Sequence, residues 1–359
     1  MQLEVGSNFW DYSLNELRTH KFWWEEDSYI KYYLKSGRNA FMALCSTIAT
    51  ENKTVLFPAY HCETESDPWY DRNWNVCYYP VEKDFTVMAE KLKVCVEKFQ
   101  PSVLVIQSYF GFETLDNECD IFLEECKKQG IIMIEDITQS ILSDIRHKVA
   151  DYYVASFRKF FAIPDGGVII SRNQIEIGEM ADSDKEIPIK ALEAYQLKRE
   201  YFTSKDKRIK EKFRTAYIEL NSLISQNDKL YRMSDVARKI LNSIDVRTIG
   251  EKRRTNYHLL YEGLSNVSCI SLARKLDDVT IPLFLPVLVN EGYSKKDLQA
   301  YLAQQDIYCP IIWQKSGKIL DCPSESQEIY TRILCFPIDQ RYDATDIQRV
   351  INAVQEWDK

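Results

Sequence analysis

Residues 103–140 read VLVIQSYFGFETLDNECDIFLEECKKQGIIMIEDITQS, and the fold class follows from them. The stretch opens with an apolar run, Val103–Gln107, and ends with a second one, Ile131–Ile134, before polar residues. Short runs of this kind are typical of buried strands. Between them, Asn117–Lys128 has helical spacing of apolar residues and stops before Gly130. A strand, a helix and a strand in this order predict a parallel pair in an α/β fold.

The same alternation continues on both sides of this stretch. Further strands are predicted at Val55–Phe57, Val76–Tyr79 and Gly167–Ser171, and further helices at Asn39–Ala49 and Val87–Lys98. Beyond residue 234 the predicted elements are a helix over Asp235–Gly263, a strand over Val279–Val289, a helix over Lys295–Gln304, a strand over Arg332–Phe336 and a helix over Asp343–Trp357. We therefore expect a mainly parallel mixed sheet covered by helices.

Two domains are predicted from the length of 359 residues and from this pattern. The large domain, residues 1–234, includes an aromatic leader that ends near Tyr33 and a charged helical segment, 173–227, without a strand pattern. The smaller C-terminal α/β domain spans 235–359.

Composition and charge narrow the class of partner. The chain has 46 Lys and Arg against 54 Asp and Glu, a formal net charge of −8, so neither nucleic acid nor an anionic membrane is expected as the main partner. The N-terminus MQLEVGSNFWDYSLNE lacks the features of a signal peptide, and no apolar run is long enough to span a membrane. The ten cysteines form no CxxC pair, so we expect a reducing cytoplasm.

A glycine turn before the first helix is the first candidate site. Ser36-Gly37-Arg38-Asn39-Ala40 leads into a helix N-terminus, where free backbone N–H groups can bind an anion. Arg38 would add a bidentate donor for phosphate. A glycine turn with a solvated arginine is the alternative interpretation.

Polar residues after the strand Ile131–Ile134 form the second candidate. Asp136 at the tip of a buried strand should face a cation or several donors. Gln139 would reach the same ligand if the turn is helical. The alternative is that Asp136 caps the next helix.

A lysine among aromatic residues is the third candidate. Lys159 lies between Phe157 and Phe160 and ahead of Gly166-Gly167. Burial among apolar side chains lowers the pKa of an amine and makes it a nucleophile toward carbonyls. The alternative is a lysine that extends to the surface.

Taken together, the three segments resemble the DegT/DnrJ/EryC1/StrS family of pyridoxal-phosphate-dependent sugar aminotransferases. That family has a Ser-Gly-Thr-Ala-Ala turn, a Glu-Asp-x-x-Gln motif and a Ser-Phe segment leading to a lysine ahead of Gly-Gly. The likeness extends through Pro58-Ala59-Tyr60, Tyr231-Arg232-Met233 and Leu334–Tyr342. It implies a pyridoxal-phosphate-dependent transferase of fold type I, similar to aspartate aminotransferase.

The resemblance also implies roles for individual residues. Lys159 would bind the cofactor covalently and carry the proton between substrate and cofactor, and Asp136 would pair with the pyridinium nitrogen. Gln139 would hydrogen-bond the phenolic oxygen of the ring. The implied cofactor-phosphate ligands are Gly37, Arg38 and Ser156, and Asn39 is a further implied cofactor-binding residue.

Some positions depart from the family pattern. Arg38 and Asn39 stand where the family has Thr and Ala. Cys62 stands where the family has an aromatic residue that stacks on the cofactor ring, so stacking would pass to His61 or Tyr60.

The expected reaction moves an amino group from an amino acid to a keto sugar, for amino-sugar or surface-polysaccharide synthesis. The resemblance implies that the amino acid is glutamate and that the sugar is linked to a nucleotide. A homodimer is expected, although Leu230 replaces the family's Asn that reaches the neighbouring subunit. The alternatives are another pyridoxal-phosphate reaction or a non-catalytic binding protein on the same fold.

Two other kinds of chemistry receive little support. Ser156-Phe157-Arg158-Lys159 fits the Ser-x-x-Lys pattern of serine acyl-enzymes, but the chain contains neither Ser-Asp-Asn nor Lys-Thr-Gly. The four histidines are scattered, so no metal site is predicted.

Overall fold

A computed structural model describes residues 4–10, 18–25, 28–226 and 228–359. The rest of the predicted leader, residues 1–3, 11–17, 26 and 27, lies outside the described residues, and so does residue 227 of the predicted helical segment.

Helices and strands alternate along most of the chain. The helices are α1 Gly37–Thr47, α2 Glu63–Tyr70, α3 Ala89–Phe99, α4 Cys119–Lys128, α5 Glu186–Ser204, α6 Lys207–Ser225, α7 Asp235–Ser243, α8 Val246–Leu264, α9 Lys295–Gln304, α10 Ser324–Arg332 and α11 Ala344–Trp357. The strands are β1 Ile30–Leu34, β2 Thr54–Pro58, β3 Asn75–Tyr79, β4 Val103–Gln107, β5 Ile132–Asp136, β6 Tyr152–Ser156, β7 Gly167–Ser171, β8 Met180–Ala181, β9 Leu230–Tyr231, β10 Ile270–Leu272, β11 Leu285–Val289 and β12 Ile333–Phe336.

The chain divides into two compact units. Unit 1 comprises Met1–Ser7, Thr50–Asp151 and Arg247–Lys359, and unit 2 comprises Asn8–Ala49 and Tyr152–Val246. This division interleaves the two units along the chain, so it differs from the predicted boundary between residues 234 and 235. That boundary stays a prediction.

The parallel strands lie in unit 1. β5, β4, β2 and β3 are neighbours in that order, and each neighbouring pair is parallel. Every residue of β2 and β4 is buried, which explains why both read as continuous apolar runs rather than as alternating ones. The register pairs Gln107 with Asp136, so the ends of β4 and β5 bring these two polar residues side by side.

A second sheet in unit 1 is antiparallel, with the order β10-β11-β12. β11 is shorter than the predicted strand Val279–Val289. Two backbone N–H groups of the missing part bond elsewhere: that of Ile281 donates to Oγ of Ser143 at 2.9 Å and that of Leu283 to the carbonyl of Phe110 at 3.0 Å. The predicted single helix over Asp235–Gly263 is two helices, because Ile244 ends α7 in an extended conformation.

Unit 2 contains the antiparallel strands β1-β7-β6, of which only β7 was predicted. The predicted helical segment 173–227 consists largely of α5 and α6, each 19 residues long. It also contains β8, which pairs with β9 and which the sequence pattern did not predict.

Among the described residues, no helix combines the length and the apolar character that a membrane span needs.

Candidate active site

The predicted anion-binding turn lies at the N-terminus of α1 in unit 2. Ser36 caps the helix, and its Oγ accepts a hydrogen bond from the backbone N–H of Asn39 at 3.2 Å. A Cβ atom at Gly37 would lie 3.1 Å from Cβ of Ser156, so the structure brings these two predicted phosphate ligands together. Arg38, in the first turn of the helix, is half-buried.

The side chain of Asn39 makes hydrogen bonds within unit 2. It is fully buried, its Nδ2 donates to the carbonyl of Lys229 at 3.1 Å, and its Oδ1 accepts from the N–H of Tyr231 at 2.8 Å. These bonds attach β9 to α1. The role of Asn39 as a cofactor ligand stays a prediction.

Lys159 ends a single 3-10 turn, Phe157–Lys159, that follows β6 directly. Phe157 and Phe160 are fully buried, but Lys159 is exposed. The expected burial of this amine among aromatic residues is therefore wrong, because the aromatic side chains are buried and the lysine is exposed. The amine is accessible to a carbonyl compound.

Asp136 and Gln139 lie at the carboxyl end of β5 in unit 1. Asp136 is the last residue of the strand and is only 1 % exposed, and its Oδ1 accepts from the backbone N–H of Thr138 at 2.7 Å. Oε1 of Gln139 accepts from the N–H of Phe110 at 2.6 Å. Its buried Nε2 has no hydrogen-bond partner among the described residues, so this NH2 group remains as a donor for a ligand.

Two further polar residues lie beside Asp136, and the sequence analysis missed both. Gln107 is its register partner on β4 and is 2 % exposed, and neither polar atom of its side chain has a hydrogen-bond partner in the described part of the chain. Glu65, in the first turn of α2, is hydrogen-bonded to Asp136 through its carboxyl group. A polar residue at the end of an apolar strand was the available signal for Gln107. Glu65 had none, because it lies in a helix that the pattern did not reveal.

The residues considered for ring stacking differ in accessibility. His61 is buried, its ring stacks on that of Tyr78 with centroids 5.3 Å apart, and its Nε2 lies 2.8 Å from Oγ of Ser66. Burial lowers the pKa of His61 to about 4, so its ring is neutral at neutral pH. Tyr60 is fully buried, whereas Cys62 is half-buried. The stacking residue stays a prediction.

The polar groups in each unit fit pyridoxal phosphate. Unit 1 supplies a carboxyl group for a ring nitrogen at Asp136 and a free amide donor for a phenolic oxygen at Gln139. Unit 2 supplies a helix N-terminus at which Gly37, having no side chain, leaves room for the close approach of Ser156. No group of His, Cys, Asp and Glu within the described ranges could hold a metal ion.

Comparison with known proteins identifies the family. The profile of the DegT/DnrJ/EryC1/StrS aminotransferase family matches residues 41–355. No curated protein sequence matches the chain.

Solved structures with the same fold include PseC from Helicobacter pylori, an aminotransferase involved in the biosynthesis of pseudoaminic acid. It is 12 % identical with a TM-score of 0.66, over 91 % of this chain and 86 % of PseC. The sugar aminotransferase CalS13 from Micromonospora echinospora is 11 % identical with a TM-score of 0.64, over 91 % and 87 %. NtdA from Bacillus subtilis, solved with bound cofactor PMP, is 14 % identical with a TM-score of 0.66, over 91 % and 73 %.

The expected fold class and cofactor are thereby confirmed: the chain belongs to the DegT/DnrJ/EryC1/StrS aminotransferase family and is a pyridoxal-phosphate-dependent aminotransferase of fold type I.

Proposed function

We propose that the protein transfers an amino group from an amino acid, with glutamate as donor, to a nucleotide-linked keto sugar in amino-sugar or surface-polysaccharide synthesis. The family match supports the reaction class. The structural likeness to PseC and to the sugar aminotransferase CalS13 supports a sugar as acceptor. The nucleotide linkage and the donor come from the family resemblance.

The observation that carries the proposal is the exposed amine of Lys159, held at the end of a turn whose aromatic residues are buried. The buried aromatic side chains hold the backbone of the turn in place, while the amine of Lys159 stays accessible to a reacting carbon. Lys159 would hold the cofactor through a bond between its amine and the aldehyde carbon, and water would leave as that bond forms. Once the amine of the substrate has displaced it there, the freed amine of Lys159 would take a proton from the substrate carbon and deliver it to the former aldehyde carbon.

The remaining site residues bind and orient. The cofactor, when bound, supplies a ring that accepts electron density from the substrate carbon. Asp136 keeps a proton on the ring nitrogen, Nε2 of Gln139 donates to the phenolic oxygen, and the α1 N-terminus with Gly37, Arg38 and Ser156 holds the phosphate.

We also propose that the enzyme is a cytoplasmic homodimer with the large and small domains predicted above. None of the ten cysteines forms a disulfide bond in the structure, which supports a reducing compartment. The dimer rests on the family resemblance.

Trapping of the cofactor on Lys159 tests the proposal. Borohydride reduction of the purified protein should abolish its visible absorbance band and leave a pyridoxyl group on the peptide that contains Lys159. Lys159→Ala should form no adduct and lose amino transfer. Lys239→Ala, an exposed lysine on α7, is the matched control and should behave like the wild type.

A second measurement separates the aminotransferase from a binding protein. Addition of glutamate alone should replace the visible band by a near-ultraviolet one as the amino group moves to the cofactor, and a keto sugar nucleotide should restore it. An adduct on Lys159 without any response to amino acids would contradict amino transfer. An adduct at another lysine would contradict the assignment of Lys159.

A further inference from the structure

The side-chain amide of Gln107 is buried at the end of β4 and has no role in the reaction proposed above. Gln107 is 2 % exposed, and neither its Nε2 nor its Oε1 has a hydrogen-bond partner in the described part of the chain. Because both atoms lack a partner, this holds for either orientation of the amide. Burying a primary amide without hydrogen bonds costs free energy of folding. The amide therefore points to a ligand rather than to a task in folding.

The position of Gln107 in the sheet relates it to the candidate site. Every residue of β4 before it is apolar and buried, so Gln107 is the one polar residue of this strand. The register pairs it with Asp136, which ends the neighbouring parallel strand β5 in the same way. Register partners project their side chains from the same face of a sheet. The amide of Gln107 and the carboxyl group of Asp136 thus leave the same face at the same edge.

Gln139 brings a second unused amide donor to the end of β4. Its Oε1 accepts a hydrogen bond at 2.6 Å from the backbone N–H of Phe110, which follows Gln107 by three residues. The side chain of Gln139 therefore reaches from the segment after β5 to the segment after β4. Its buried Nε2 has no partner among the residues described. Two amides with unused N–H groups are held by β4, β5 and the segments that follow these strands.

The chemistry of the cofactor ring selects the atom that an additional amide donor would serve. The ring has two polar groups on its edge, a nitrogen and a phenolic oxygen. The protonated nitrogen needs an acceptor, which is the task proposed for Asp136. The phenolic oxygen accepts hydrogen bonds, and an oxygen with negative charge binds two N–H donors more strongly than a neutral one does.

We propose that Gln107 is a further cofactor-binding residue, whose side-chain amide donates a hydrogen bond to the phenolic oxygen of pyridoxal phosphate beside the one from Gln139. The inference rests on the proposed function, because the amide has this task only if the site binds the cofactor. Two donors on this oxygen favour its ionised form and oppose rotation of the ring within its plane.

Gln107→Met tests the hydrogen bond, because methionine keeps the length of the side chain and removes its polar atoms. Gln129→Met, at an exposed glutamine that follows α4, is the matched control. We expect the dissociation constant of pyridoxal phosphate to rise about tenfold in Gln107→Met and to stay within about twofold of the wild type in Gln129→Met. Absorbance titration of the cofactor-free protein measures both values.

The visible absorbance band of the bound cofactor reports on the phenolic oxygen itself. Loss of a donor concentrates negative charge on this oxygen, which then holds the proton on the adjacent nitrogen of Lys159 more tightly. The pH at which the visible band changes to a near-ultraviolet one should therefore be higher in Gln107→Met, by about half a pH unit or more. Gln129→Met should keep the midpoint of the wild type.

The stability of the cofactor-free protein separates a ligand-binding amide from a structural one. Gln107→Met replaces a buried amide that has no partner by an apolar side chain, so its melting temperature should equal or exceed that of the wild type. Gln107→Asn is the second variant. It keeps an amide in the interior but shortens the side chain by one methylene group, so it should also bind the cofactor more weakly than the wild type does.

Three results would overturn the inference while leaving the proposed function intact. The first is wild-type affinity and an unchanged band midpoint in a folded Gln107→Met. The second is a cofactor-free Gln107→Met that melts well below the wild type, since the amide would then have a structural partner. The third, decisive if Gln107→Met does not fold, is wild-type affinity in Gln107→Asn. Failure of the wild type and Gln129→Met to bind pyridoxal phosphate would instead overturn the proposed function together with the inference.

Discussion

His147 lies between β5 and β6 among three carboxyl groups of unit 1. Its Nδ1 is 3.0 Å from Oδ1 of Asp120 and its Nε2 is 3.5 Å from Oε1 of Glu113, while its backbone N–H donates to Oε2 of Glu135 at 2.9 Å. Burial lowers the pKa of His147, but the hydrogen bond and charge of Glu113, with the charge of Glu135, outweigh burial and raise the pKa to about 9. The imidazolium thus ties the segment after Asp136 to its neighbours.

This raised pKa predicts a pH-dependent contribution to stability. The folded protein holds the proton more tightly than the unfolded chain, so the stabilisation is complete below about pH 6.5 and is lost as the pH rises through about 9. Replacing His147 by Gln should lower the free energy of unfolding at about pH 6. The difference from the wild type should shrink by on the order of 3 kcal/mol by about pH 9.5.

Urea unfolding at the two pH values measures this difference. His258→Gln, an exposed histidine on α8, is the control and should show no such change. A His147→Gln deficit that is equal at both pH values would mean that the ring contributes by packing and not by charge.

At the scale of elements, the start of β7 lies against the N-terminus of α1 in unit 2. A Cβ atom at Gly167 would lie 2.3 Å from the carbonyl carbon of Ser36 and 2.6 Å from the backbone nitrogen of Gly37. Backbone atoms cannot move away as the end of a side chain can. The strand and the helix therefore approach each other this closely only because residue 167 is glycine.

Gly167→Ala should consequently destabilise the protein by about 1–3 kcal/mol or more, since the added methyl group separates β7 from α1. It should also weaken phosphate binding, because Gly37 and Ser156 depend on the same approach. Gly178→Ala, which meets no atom within 4 Å, should change the stability by less than about 0.5 kcal/mol. Chemical denaturation compares the two. Equal stabilities would contradict the close approach.

The helices and strands also show where the sequence pattern predicts the bounds of an element correctly. β4 coincides with its predicted bounds and α9 does as well, because each has a strong period and clear ends. β1 and β6 were not predicted. Ile30–Leu34 is tyrosine-rich and mostly half-buried, and Tyr152–Ser156 begins with two tyrosines, although its three middle residues are buried. They become strands by pairing with β7, a contact between distant segments.

At the scale of the whole molecule, we expect a homodimer. Sedimentation equilibrium should give twice the mass of the 42.2 kDa chain, with and without pyridoxal phosphate. Leu230 is 8 % exposed, so the position where the family has an intersubunit Asn is occupied by a buried apolar side chain, and other residues would make that contact. A monomer that remains fully active at the same concentration would contradict the expected assembly.

The sequence by itself determined the α/β class, the family and the cofactor, because apolar periodicity and three ordered motifs are local properties of the chain. It also indicated Asp136 and Gln139, which follow a strand directly. Only the tertiary structure decided that Lys159 is exposed among buried rings and that Asp136 meets Gln107 and Glu65. These contacts depend on strand register and on helix position between distant segments, and no local pattern encodes them.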